Sequence, residues 1–132
     1  MTGIDTNVLV RYLVQDDPPQ AKAATYLIEK ECTRENPGFL NHLVLCETVW
    51  ILDGCYDQSK DNLIKTLEQL LRVAELRVES SHVVWKALED YRNGPADFAD
   101  YLLSRINEAH SCLTTVTFDR AAGKSSEFTL LK

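Results

Sequence analysis

A repeated change of period constrains this chain most: short apolar runs that close on an acidic or turn residue alternate with stretches whose apolar residues recur three and four apart. Ile4 ends the first run at Asp5-Thr6-Asn7, after which Val8, Leu9, Leu13 and Val14 follow at helical spacing. Asp16-Asp17-Pro18-Pro19 breaks that helix, and a second is expected from near Gln20 with Ala23, Ala24, Leu27 and Ile28 as its inner face. Beyond the turn Glu35-Asn36-Pro37-Gly38, Phe39-Leu40 reads as a brief strand. It feeds an apolar helix carrying Leu43, Val44, Val49, Trp50, Ile51 and Leu52, which should be buried over most of its surface and end near Gly54. Ser59 or Asp61 caps the next helix, striped by Leu63, Leu67, Leu70 and Leu71; Leu76 to Glu79 reads as strand; Ser80 or Ser81 opens a helix reaching Asn93-Gly94. Pro95 introduces a further helix with Phe98, Leu102, Ile106 and Ala109. Leu113 to Phe118 is the best strand signal, being rich in β-branched residues and closed by Asp119, and a short strand around Phe128 to Leu131 ends the pattern. Strands alternating with helices predict an α/β fold with a mainly parallel sheet covered on both faces.

At 132 residues, with 45% hydrophobic residues, five glycines and four prolines, residues 1–132 should form one domain without a long linker. Cys32, Cys46, Cys55 and Cys112 show neither a CxxC pair nor a zinc-ligand rhythm, which predicts reduced thiols rather than disulfides or a thiolate metal site. His42, His82 and His110 are scattered and read as surface or cap residues. The opening Met1-Thr2-Gly3-Ile4-Asp5 lacks a basic stretch leading into an apolar segment, so a cytoplasmic protein is expected. A net charge of −6 excludes a broad basic face for nucleic acid. Any nucleic-acid chemistry must then be local and metal-assisted.

In open α/β sheets the functional crevice lies beyond the carboxyl ends of the strands, and Asp5 and Asp119 each stand at such an end. Capping of the following helix or turn accounts for either one alone. Glu47 shares a helix face with Leu43, Val44, Trp50 and Ile51, where a lone ionised carboxylate must be paired, protonated, bound to metal, or open to solvent at a rim. Asp97 and Asp100 lie three apart in the first turn of a helix, where the dipole favours negative charge. If all converge at one sheet edge, their mutual repulsion requires a raised pKa or a cation. Oxygen ligands without His or Cys select a hard ion, Mg²⁺ or Mn²⁺. Such an ion meets the needs of phosphodiester hydrolysis.

Ile4-Asp5-Thr6-Asn7-Val8-Leu9, Leu45-Cys46-Glu47-Thr48-Val49-Trp50, Ala96 to Leu103 and Thr115-Val116-Thr117-Phe118-Asp119 together resemble a PIN domain, and most of all the VapC-type toxins of bacterial type II toxin-antitoxin pairs. The resemblance runs over essentially the whole chain in the expected order. It implies a three-layer α/β/α sandwich with a mainly parallel central sheet, and Mg²⁺- or Mn²⁺-dependent cleavage of RNA. Carried over by position, Asp5 is a principal metal ligand with Asp100 its partner, Glu47 and Asp119 complete the acidic site, and Asp97 is an auxiliary ligand. Thr6, Asn7 and Thr117 become supporting hydrogen-bonding groups. The resemblance further implies a homodimer inhibited by a small antitoxin lying across the active-site groove. Tyr101 follows Asp100 where a smaller residue is commoner in that family. Arg11, Lys22, Arg92, Arg105 and Arg120 are candidate RNA contacts, and Gly123-Lys124-Ser125-Ser126 reads as a surface turn able to touch a phosphate backbone.

Two other enzyme patterns fit less well. A haloacid-dehalogenase-like phosphohydrolase needs a second aspartate two residues after the first, where this chain has Asn7; a phosphoacceptor receiver needs an acidic pair after its first strand, where it has Asp5-Thr6. A PIN module without catalysis, acting through protein contacts, is the alternative of a different class.

Overall fold

The first four helices start where a preceding side chain accepts an otherwise orphaned backbone N–H in the computed structural model, which describes all 132 residues. Asp5 accepts from Thr6 N at 2.8 Å and opens α1 (Thr6–Val14). Asp17 accepts from Gln20 N at 3.2 Å and opens α2 (Pro18–Tyr26). That start lies upstream of the expected one because Pro18 and Pro19 occupy the first turn, where a missing N–H costs nothing. Asn41 accepts from Val44 N at 2.9 Å before α3 (His42–Gly54), and Ser59 from Asn62 N at 3.2 Å before α4 (Lys60–Arg72). Two further helices follow, α5 (Ser81–Asn93) and α6 (Phe98–Ala109). No helix is long and apolar enough to cross a membrane.

The chain forms two compact units, residues 1–79 and 80–132. In the first, β1 (Thr2–Gly3), β2 (Gly38–Leu40) and β3 (Leu76–Val78) pair in that order, all parallel, with Thr2 opposite Gly38 and Gly38 opposite Leu76. Gly38 sits in a tight place: a Cβ there would stand 2.5 Å from Ile4 Cδ1 and 3.0 Å from Leu76 Cδ2, so those side chains would have to shift. Helices α1 and α2 connect β1 to β2, and α3 and α4 connect β2 to β3. Parallel strands require such crossovers. Leu9, Ile28, Leu40, Leu45, Leu52 and Leu67 form the centre of the core, each almost wholly removed from water. His42 secures the start of α3 to the end of β3, its backbone N–H donating to Glu79 Oε1 at 2.9 Å and its ring Nε2 lying 2.8 Å from the Glu79 carbonyl oxygen.

In the second unit, α5 packs on α6 and two parallel strands, β4 (Thr115–Thr117) and β5 (Phe128–Leu130), pair in register from Thr115 opposite Phe128. Val84, Leu88, Phe98, Tyr101 and Leu102 are buried, and the Tyr91 and Phe98 rings meet edge to face at 6.0 Å. Arg105 joins the two helices with a two-pronged grip on Asp90, Nε to Oδ2 at 2.6 Å and Nη2 to Oδ1 at 2.8 Å.

Two expectations change. The strand signal from Leu113 to Phe118 becomes only three paired residues, because β5 offers a partner to no more; Leu113 and Phe118 stand exposed. Helix α3 is less buried than its apolar composition suggests, with Leu43 63% and Trp50 55% exposed. Its face through Leu43 and Trp50 is therefore a boundary rather than core. The contrast is measurable by denaturant unfolding: Leu67→Ala should cost about 3 kcal/mol, as a large-to-small change in a packed site does, whereas Leu43→Ala should stay within about 0.5 kcal/mol.

Candidate active site

The end of β1 leads through Ile4 to Asp5, and the next residue does two jobs. Thr6, 5% exposed, donates its N–H to Asp5 Oδ1 and its hydroxyl to Glu47 Oε1 at 2.7 Å. One threonine thus positions both acids of the first unit, reaching Glu47 because α1 packs on α3. Glu47 is half-buried on the boundary face of α3, so it is not turned into an apolar layer as its neighbours in sequence implied; Leu43 and Trp50 on either side are open to water. Asn7 hydrogen-bonds neither acid and lines a groove between α1 and α2 with Val8, Arg11 and Gln20.

In the second unit Asp97 stands at the N-cap of α6 and Asp100 in its first turn, with Asp100 Oδ2 accepting the Asp97 N–H at 3.3 Å. Asp119 follows β4. Its Oδ1 accepts from Ala121 N at 2.8 Å and Ala122 N at 3.3 Å, and its own N–H donates to Thr117 Oγ1 at 3.0 Å. Burial pushes the Asp100 carboxyl above its ordinary value; the Asp97 amide opposes that, and the charges of Asp119 and Asp97 add to it. Asp100 therefore lies within electrostatic reach of both other aspartates.

None of the five acids forms an ion pair with lysine or arginine. Asp5, Glu47, Asp100 and Asp119 each spend one oxygen on a protein donor and keep the other unengaged. No group of three or more His, Cys, Asp or Glu side chains stands close enough to hold a metal ion. The first unit thus presents a threonine-linked pair, and the second an aspartate trio within electrostatic but not coordination range. As donors, unpaired carboxylate oxygens with one desolvated member fit a hard divalent cation and no softer metal.

The basic candidates divide sharply. Arg11 is held by Gln20, Asp16 and Tyr56, Arg92 pairs with Glu89, and Arg105 with Asp90 and Glu108. Lys22 and Arg120 are exposed and unpaired, which leaves these two for contact with an anion. Within residues 123–126, Ser125 is taken up inside the protein by Tyr101, while Lys124 faces solvent. The Tyr101 hydroxyl is the group that sequence reasoning passed over. The signal was present: a tyrosine inside an apolar helix face must find a hydrogen-bond partner when buried.

The raised Asp100 pKa fixes a sign. A carboxyl that binds its proton more tightly when folded favours the native state at low pH, and that margin is lost as pH rises through the folded value. At neutral pH the ionised group opposes folding. Metal-free Asp100→Asn should therefore melt above wild type at pH 7, with the advantage closing as pH falls below the ordinary aspartate value of 3.8. Thermal melts across that range check it, and an Asn variant no more stable at pH 7 contradicts it.

No curated protein and no solved structure matches the chain. The PIN domain family matches residues 4–124, a span that takes in Asp5, Glu47, Asp97, Asp100 and Asp119. PIN domains are generally nucleases acting on RNA or DNA and typically using divalent metal ions. The short parallel strands, the six helices packed about them and this match over most of the sequence agree, and the chain belongs to the PIN domain family.

Proposed function

We propose that this protein is a Mg²⁺- or Mn²⁺-dependent endoribonuclease in which Asp5, Glu47, Asp100 and Asp119 are the catalytic acids and metal ligands, with Asp97 auxiliary, and in which residues 1–132 work as one nuclease domain. The carrying observation is that these carboxylates keep free oxygens and no basic side chain neutralises them. These carboxylates would hold a divalent ion, which would supply Lewis-acid polarisation of a phosphoryl oxygen and a lowered pKa for water. The chain's own residues hold and orient. Thr6 keeps Asp5 and Glu47 in fixed relation, Thr117 orients the turn that carries Asp119, and the first turn of α6 presents Asp100. In the hydrolysis, the water oxygen forms a bond to phosphorus, the bond to the leaving sugar oxygen breaks, and the proton passes to that oxygen. Glu47, half-exposed and hydrogen-bonded through one oxygen only, is the group best placed to take the proton from water.

The order and spacing of the acidic motifs support the narrower reading of a VapC-type toxin, acting in the cytoplasm on RNA as a homodimer and silenced by a small antitoxin. The overall charge of −6 supports the need for a cation where phosphate approaches. Four free cysteines support a reducing compartment.

Incubation of the purified protein with RNA and Mg²⁺ or Mn²⁺ should give internal cleavage that EDTA abolishes. Asp5→Asn and Asp100→Asn should each slow it by about 100-fold or more, since Lewis-acid assistance is worth several kcal/mol and each 1.4 kcal/mol is about tenfold. Mn²⁺ should also raise the melting temperature of wild type and not of Asp100→Asn. A module that acts only through protein contacts would show no metal-dependent cleavage for these substitutions to remove.

A further inference from the structure

Tyr101 directly follows Asp100, is 1% exposed, and is the largest wholly buried side chain in the protein. Packing alone would be served by phenylalanine, and a buried hydroxyl is costly unless bonded. This one is bonded twice, to two different segments of the second unit. The Ala96 N–H donates to its oxygen at 3.2 Å, and Ser125 Oγ lies 3.0 Å away. Ala96 immediately precedes Asp97, so the first bond fixes how the chain enters α6 where Asp97 and Asp100 stand. Ser125 ends the 3₁₀ turn Ala122–Lys124, whose start is fastened to Asp119 through the Ala121 and Ala122 amides and through Gly123 N to the Asp119 carbonyl oxygen at 2.9 Å. The space for the hydroxyl is reserved: a Cβ on Gly94 would stand 1.9 Å from it.

The aspartates stand on two segments, the opening turn of α6 and the turn after β4, whose relative placement needs a fastening. We propose that Tyr101 is a positioning residue whose hydroxyl, bridging Ala96 and Ser125, ties the opening turn of α6 to the segment beginning at Asp119 and so sets how Asp97, Asp100 and Asp119 stand toward one another and toward the divalent ion proposed above. The tether rests on the hydrogen bonds themselves; its purpose rests on the nuclease reading above. Asp100 and Asp119 are carried by the two segments that the hydroxyl joins, so a change in their spacing alters what each carboxylate can offer a metal.

The test uses the full chain well below its melting temperature, with two readouts: Mn²⁺ affinity from the electron paramagnetic resonance signal of free Mn²⁺, and amide hydrogen exchange at Ala121 and Ala122 without metal. Tyr101→Phe, which removes only the hydroxyl, should weaken Mn²⁺ binding about 10-fold, the effect expected for a group that orients a ligand, and should speed exchange at both amides. Ser125→Ala, a milder change on a half-exposed turn, should act in the same direction should Tyr101→Phe fold poorly. The double variant should be no worse than the more severe single one, because both remove the same bond. Unchanged Mn²⁺ affinity in both variants, whatever happens to exchange or melting temperature, would overturn the proposal and leave the hydroxyl a purely structural bond. Absence of Mn²⁺ binding by wild type would overturn the nuclease reading instead, and unchanged exchange would then overturn the tether as well.

Discussion

Backbone amides, rather than basic side chains, make the acids of this protein tolerable. Asp5 leans on the first amide of α1, Asp100 on the entrance to α6, and Asp119 on the two amides of a tight turn. A helix start carries partial positive charge on its unsatisfied N–H groups, worth about 0.3 to 1 kcal/mol to a nearby carboxylate. That is enough to keep an aspartate in place and too little to neutralise it. Each group keeps an oxygen to spare, and the Thr6 link and the Tyr101 bonds hold the segments that carry such groups without cancelling them.

The distribution of arginine fits the same logic. Arg105 is committed to Asp90 and Glu108, and Arg11 to Asp16, Gln20 and Tyr56, none of them an acid of the candidate site. Short, directional guanidinium pairs pin one helix to another, which loose surface pairs do poorly. Tyr56 strengthens the Arg11 cluster, its hydroxyl 2.5 Å from Asp16 and its own proton held above the ordinary value by that carboxylate. Positive charge is thus spent on architecture. The carboxylates of the candidate site are left without a basic partner.

The very short strands make this economical. Three residues of β2 suffice to align β1 and β3, and the carboxyl ends of β1 and β2 lead into Asp5 and Asn41, both helix caps. The same geometry that ends a strand starts a helix, so a side chain at that junction is fixed by its neighbours on both sides.

What the sequence alone determined is the set of elements and the acids at their junctions. Asp5 and Ser59 were readable as caps because caps and turns act over no more than about four residues, whereas the start of α2 at Asp17 was not. Glu47 was visible as an anomaly, although the pattern around it pointed inward, and only the exposure of Leu43 and Trp50 showed it to be a boundary residue. The length of β4 also escaped, since β-branched residues say that a segment can pair but not how many partners it will find. Tertiary structure decided the rest: Thr6 meets Glu47 across 41 positions, and Tyr101 meets Ser125 across 24. Contacts at such separations depend on which helix faces pack together, a choice made by the summed burial of many side chains, so no local run of residues encodes them.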